Sequence, residues 1–342
     1  MTYFLLLVKP YFYSKHKLYA RSMGIFLVIL SSSIVGFSYY YAWWNKKFFD
    51  ILANRDFDVF FHECILFCLV SIFWALDLSS LFYYGQQYAL NWRIWMTNKA
   101  LNVWAYSSKR ANLEGADQRI QEDLMRFTVI VERFFLEGFN AIITILVFTP
   151  ILFKVTNNLS IGSIPVSIVI LLSVIIYTGV GMYVGIKMTT PLIKLEYDSQ
   201  KYEAAFRYNL VHAKDGKNIS SISFLRLLSP IFKTYKAKYN KQRQFNLWLK
   251  IYNQFSFFIP FIILAPSYFS GSSTIGTLME IRIIFAAIRS SMAYLLDHYT
   301  EFTELQAIAK RLFEFYNHLE EIAIERSTTN NNDQEKEITC TI

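Results

Sequence analysis

MGIFLVILSSSIVGFSYYYAWW, residues 23–44, runs for twenty-two positions without a charge. As a helix rising 1.5 Å per residue it is long enough to cross the roughly 30 Å hydrocarbon layer of a bilayer. It closes on Tyr39, Tyr40, Tyr41, Trp43 and Trp44, amphipathic aromatics of the kind that settle at headgroup depth. Comparable runs recur at 64–84, broken only by Asp77; at 134–153, with Glu137 near its start; at 161–186; at 245–268, with Lys250 in its first turns; and at 275–299, which carries Glu280, Arg282, Arg289 and Asp297. The pattern predicts an all-α polytopic membrane protein with six transmembrane helices. A charge at bilayer depth costs about 2.5–3.5 kcal/mol on insertion scales, so the last run cannot face lipid all round. Its Arg282 and Arg289 lie seven apart, on one helical face. Glu280, Arg282, Arg289, Asp297 and the earlier Asp77 are therefore candidates for a cavity or a dimer interface, with both roles open.

Composition agrees. The 342 residues are 54% hydrophobic and 18% charged, against about a quarter charged in an ordinary soluble domain, and the mean hydropathy is +0.27. The net charge of +8 does not point to nucleic acid, because the cations flank apolar runs and do not gather on a polar module with exposed stacking aromatics. Cys64, Cys68 and Cys340 are too few for a disulfide framework, and Cys64 and Cys68 sit one helical turn apart in an apolar run, where packing is their expected role. The five histidines are scattered without an HExxH or His/Cys cluster, so no metal, cofactor or enzymatic centre is expected. Trp92, Trp95 and Trp104 are expected to be packing and interface anchors.

Charge also orients the chain. Residues 187–250 hold thirteen Lys/Arg against four Asp/Glu, a net of +9, and such segments stay on the cytoplasmic side. The connections at 154–160 and 266–274 carry one cation and none, as expected outside. Both termini are then cytoplasmic. Residues 1–21 read as a short aromatic and basic arm at the interface with no cleavable signal expected, residues 22–325 as the membrane domain, and residues 326–342, acidic and Asn-rich, as a disordered tail. Between 81 and 126, and again between 188 and 244, amphipathic sequence continues well past bilayer depth, predicting long cytoplasmic helix extensions.

The stretch Glu114-Gly115-Ala116-Asp117-Gln118-Arg119-Ile120-Gln121-Glu122-Asp123-Leu124-Met125-Arg126-Phe127 resembles a signature of the SbmA/BacA peptide-antibiotic transporter family. Asn91-Trp92-Arg93, Asn140-Ala141-Ile142, Gly185-Ile186-Lys187, Glu203-Ala204-Ala205, Lys310-Arg311-Leu312 and Tyr41-Ala42-Trp43 before Phe49-Asp50 extend the similarity from about residue 21 to 319. The resemblance implies an ABC exporter-type transmembrane domain without an ATPase, a homodimer in the bacterial inner membrane, and proton-driven import of peptides such as microcins, bleomycin-like compounds and proline-rich antimicrobial peptides. None of the twelve glycines opens a GxxxxGK[ST] phosphate loop, so no nucleotide-binding site is expected in the chain. Family members often carry one more N-terminal span than the short arm seen here.

Proton coupling calls for carboxyls near a water-filled cavity, where partial desolvation raises the pKa toward neutrality. By resemblance to the family's relay of glutamates, the matching positions are Glu132, Glu196 and Glu203; Lys214 stands where the family has an acid, with Asp215 beside it. Glu196 and Glu203 are equally open to charge pairing with Lys194, Lys201 or Arg207. The signature residues Glu114, Asp117, Gln118, Arg119, Glu122 and Asp123 are placed on a cytoplasmic loop helix. There they either meet an ATPase, as a similar stretch does in the related peroxisomal fatty-acyl transporters, or form i, i+4 pairs on a solvated surface.

Overall fold

In a computed structural model of the chain, residues 2–104, 116–157, 159–161, 164–214, 221–298 and 301–317 are described. Among them helices account for nearly everything. In order they are α1 (Thr2–Tyr13), α2 (Lys17–Asn54), α3 (Phe57–Trp104), the single turn α4 (Ala116–Gln118), a π-helical turn (Arg119–Asp123), α5 (Leu124–Val155), α6 (Val166–Lys214), α7 (Ser221–Phe269) and α8 (Ile275–Asp297); residues 301–317 form a last helix, α9. The fourth expected span starts later than its apolar run suggested. Ser160–Ile161 (β1) pairs antiparallel with Ile164–Pro165 (β2), and the helix begins only at Val166, directly after a proline whose missing N–H suits the start of a helix.

Five of these helices, α2, α3, the π-turn with α5, α6 and α7, are long and apolar enough to cross a membrane. The sixth expected span coincides with α8, whose 23 residues hold the four charges noted above. The extensions are present: at 1.5 Å per residue the 49 residues of α6 and of α7 each run about 74 Å, more than twice the hydrocarbon thickness. Along α3, Leu69, Ile72, Phe73, Trp74, Leu76 and Phe82 are all exposed. In water that surface would be costly at about 25 cal/mol per Å²; against lipid tails it is the stable arrangement. Cys68 is exposed on the same helix, so it faces outward and does not serve the packing role expected for it.

The chain forms two compact units. One comprises residues 1–44, 54–147 and 297–342, the other residues 45–53 and 148–296. The core of the first is aromatic. Trp92 of α3, 2% exposed, stacks on Tyr11 of α1 at 5.4 Å and 12° and meets Phe127 of α5 edge-on at 5.9 Å. The N-terminal arm is therefore an ordered helix whose Leu7 and Tyr11 are buried among α3, α5 and α9 residues. At membrane depth α2 and α5 are joined by polar contacts: Asn140 donates to the Ser31 carbonyl at 3.2 Å, and Ser31 Oγ donates to the Leu136 carbonyl. Such contacts hold helices together where burial from lipid supplies no drive.

The second unit is built on the antiparallel pair α6 and α7. Tyr177 and Tyr252 stack at 4.5 Å and 10°, each hydroxyl donating to the other's backbone carbonyl. This close crossing depends on Gly181, where a Cβ would run into the Tyr252 ring. At the far end Asp50 of α2 accepts the Gly276 N–H at 3.1 Å, capping the first turn of α8 from a distant part of the chain. Substituting Gly181→Ala is expected to overpack the crossing at a cost of about 1–3 kcal/mol, read as a lower melting temperature of the detergent-purified protein, with Gly179→Ala, which has open space, as the near-neutral comparison.

Candidate functional site

The signature stretch is engaged within its own unit. Its π-turn, a local widening that often marks functional positions, ends on Asp123, which is 4% exposed. Its carboxylate receives a fork of two hydrogen bonds from Arg311 of α9, at 2.9 Å from Nε and 2.7 Å from Nη2. This bidentate geometry is the strong form of the interaction, and the hydrogen bonds that Arg311 donates to Asp123 raise the Arg311 pKa still further. Arg126 completes the clamp, reaching Glu122 one turn back at 2.8 Å and Glu304 of α9 at 2.7 Å. The Glu122–Arg126 contact is the local i, i+4 pair expected from spacing; the other two join parts of the chain about 180 residues apart. Asp117 and Gln118 remain exposed, and Glu114 lies outside the described residues. Arg93 donates to the Gln121 carbonyl at 3.3 Å, so Asn91-Trp92-Arg93, the signature and Lys310-Arg311-Leu312 converge on one place.

Beside this clamp lies a cavity of about 1110 Å³ whose walls are nearly all apolar, among them Phe12, Ile25, Leu27, Phe135 and Leu305. Its polar lining is confined to Arg21, Tyr88, Trp92, Glu132, Gln306 and Lys310. Glu132 is half-buried and lies so close to α3 that a Cβ on Gly85 would collide with its carboxyl oxygen. Among the described residues no ion pair holds it: the neighbouring Arg133 reaches instead to Glu301 at 3.4 Å. One turn along α5, Glu137 meets His298 Nε2 at 3.3 Å, and His298 Nδ1 lies 3.6 Å from Glu301. This cluster of Arg133, Glu137, His298 and Glu301 was not legible in the sequence. Histidine 298 looked isolated because its partners lie some 160 positions earlier and just beyond the last apolar run; only charges flanking the starts and ends of two spans could have hinted at it.

The remaining candidates divide between the units. In the first, Asp77 accepts a 2.6 Å hydrogen bond from Ser33 of α2. In the second, Glu280 is buried and paired with Lys46 at 3.5 Å, and Arg289 donates to Asn253 at 3.0 Å. Arg282 lies over the Phe257 ring. Asp297 is exposed at the end of α8. Glu196 of α6 is bonded to Lys238 of α7, across the hairpin and not to Lys194, Lys201 or Arg207 on its own helix. The hydrogen bond from the Lys238 ammonium, supported by Gln200, holds the Glu196 carboxyl below the usual carboxylate range. A lowered pKa keeps this group ionised through neutral pH, and the pairing weakens only as acid protonates it. Glu203 is exposed, and Asp215 lies outside the described residues.

An apolar pocket around one carboxyl should leave a chemical trace. Treatment of the purified protein with a hydrophobic carbodiimide, followed by mass spectrometry, is expected to label Glu132 in preference to the Lys238-bound Glu196. Gly85→Ala should lower the Glu132 labelling several-fold by pushing the carboxyl out of its place, while leaving the melting temperature within a few degrees.

Comparison with known proteins gives the same frame. The chain is 27% identical over 345 aligned residues, covering 92% of this chain and 60% of the relative, to the inner membrane ABC transporter ATP-binding protein YddA of Escherichia coli (strain K12). It is 28% identical to an uncharacterised ABC transporter ATP-binding protein of Synechocystis, covering 80% of this chain and 42% of that one. To the chloroplastic ABC transporter D family member 2 of Arabidopsis thaliana it is 25% identical, covering 90% and 44%. The chain thus spans about half the length of these relatives. The model of the SbmA/BacA-like family matches residues 13–320, a range that takes in the clamp and every candidate residue described above, and the chain belongs to that family.

Proposed function

We propose that the chain is one half of a homodimeric carrier in the bacterial inner membrane, importing peptides or similarly bulky compounds with protons moving down their gradient. In this reading α8 is the sixth crossing, both termini are cytoplasmic, and the strongly basic 187–250 segment lies inside. The observation that carries it is Glu132: a half-buried carboxyl without an ion-pair partner among the described residues, on the wall of an apolar cavity in a chain of the SbmA/BacA-like family. A carboxyl so placed changes its protonation with the hydration of the cavity, and protonation that differs between inward-open and outward-open states shifts their populations. The Glu137–His298–Glu301 cluster one turn away supplies a neighbouring store for the proton. Glu196, held ionised by Lys238, acts as a tie across the α6–α7 hairpin, and exposed Glu203 lies on the cytoplasmic side of the relay.

A second reading has one observation in its favour. The relatives are named as ATP-binding proteins, and the chain spans only about half of each. It would then serve as a transmembrane half working with an ATPase, with exposed Asp117 and Gln118 as the contact.

Proteoliposomes separate the two. Uptake of a labelled proline-rich peptide is expected to rise with an inwardly directed proton gradient without ATP, and Glu132→Gln should reduce the gradient-dependent part at least tenfold while leaving peptide binding in place. Uptake indifferent to the gradient and dependent on added ATP and a co-purifying nucleotide-binding protein would establish the second reading instead.

A further inference from the structure

Arg282 and Arg289 stand two turns apart on one face of α8, roughly 10 Å along the axis. Each guanidinium lies over an aromatic ring of α7: Arg282 at 5.2 Å from the centroid of Phe257, and Arg289 at 5.6 Å from that of Tyr252. Tyr252 is itself fixed between Tyr177 and Trp248, the latter stacked at 5.3 Å and 22°. Stacking sets the position of a guanidinium and offsets part of its desolvation, but it satisfies none of its N–H groups. Two guanidiniums carry ten donors. Among the described residues one of the ten finds an acceptor, Arg289 Nη1 on Asn253 Oδ1 at 3.0 Å. The Nε of both arginines is buried with no hydrogen-bond partner.

Nor does a carboxylate neutralise them. Glu280, the acid nearest in sequence on α8, is engaged by Lys46, and neither arginine forms an ion pair among the described residues. Both side chains are half-buried, and cations left in this condition at bilayer depth are costly. An anionic group arriving from outside the chain removes the cost, because a carboxylate accepts two parallel N–H bonds from the guanidinium fork.

We infer that Arg282 and Arg289 form a binding site for a carboxylate flanked by apolar atoms, such as the C-terminal residue of a peptide. The fork takes the carboxylate, and Phe257, Tyr252 and Trp248 take the side chain beside it. The assignment of this ligand to transported peptide rests on the carrier reading above. The binding itself does not, and is measured without any gradient, so failure here and failure of proton coupling are distinguishable.

The test uses the full chain in nanodiscs of zwitterionic lipid, titrated with N-acetylphenylalanine and with its uncharged amide. Calorimetry or saturation-transfer NMR reads the binding. The acid is expected to bind at least tenfold more tightly than the amide. Arg282→Gln and Arg289→Gln should each erase most of that difference without changing the affinity for the amide. Lysine at either position keeps the charge and loses the fork, so Arg282→Lys and Arg289→Lys should retain an intermediate preference; these variants carry the test if the glutamines prevent folding. Equal affinity for acid and amide in the unaltered protein, or equal losses for both ligands in the variants, would overturn the site. The titration is repeated with anionic phospholipid in the disc, whose phosphate shares the acceptor chemistry. Displacement of the acid by that lipid would assign the face to headgroups and overturn it as well.

Discussion

Surrounded by lipid tails, a chain has no water to satisfy its peptide groups, and helices are the form in which each span satisfies its own. The consequences run through the whole molecule. Apolar side chains on α3 point outward because lipid is as good a solvent for them as a protein core. Helix contacts then cannot be driven by burial alone, and they fall to close approach, aromatic stacking and a few hydrogen bonds. The Tyr177–Tyr252 exchange over Gly181 and the Asn140–Ser31 bond are contacts of this kind.

The same constraint explains where charge is found. Helices twice as long as the bilayer is thick leave ends in water, and there ion pairs are affordable: Asp123 with Arg311, Arg126 with Glu122 and Glu304, Glu196 with Lys238. Toward the membrane the pattern changes. Asp77 is held by a serine, Glu280 by a single lysine, and Glu132, Arg282 and Arg289 have no ionic partner among the described residues. On the carrier reading, such groups with unfilled bonding capacity in an apolar setting are those whose partners come and go, whether protons or ligands.

The clamp at the signature stretch links these two regimes. Asp123 fixes the π-turn to α9 through Arg311, and α9 in turn presents Phe302, Leu305, Gln306 and Lys310 to the cavity that contains Glu132. A movement of the π-turn is therefore a movement of one cavity wall.

Much of this was legible in residue order. Uncharged runs of bilayer length declare membrane helices whatever their neighbours do, and the signature declares a family, because each signal is local and additive. Of the six expected runs, five became helices long and apolar enough to cross a membrane, and the start of the fourth was displaced, where the short β1–β2 pair takes up residues that apolarity alone would assign to helix. What the tertiary structure decided was partnership. Nothing in the spacing of Arg311 shows that it forks onto Asp123, that Glu196 is tied to Lys238 instead of a neighbour on its own helix, or that His298 lies between Glu137 and Glu301. Those pairings join residues far apart in the chain, and at such separations direction and distance are set by how helices cross, a property no run of residues carries by itself.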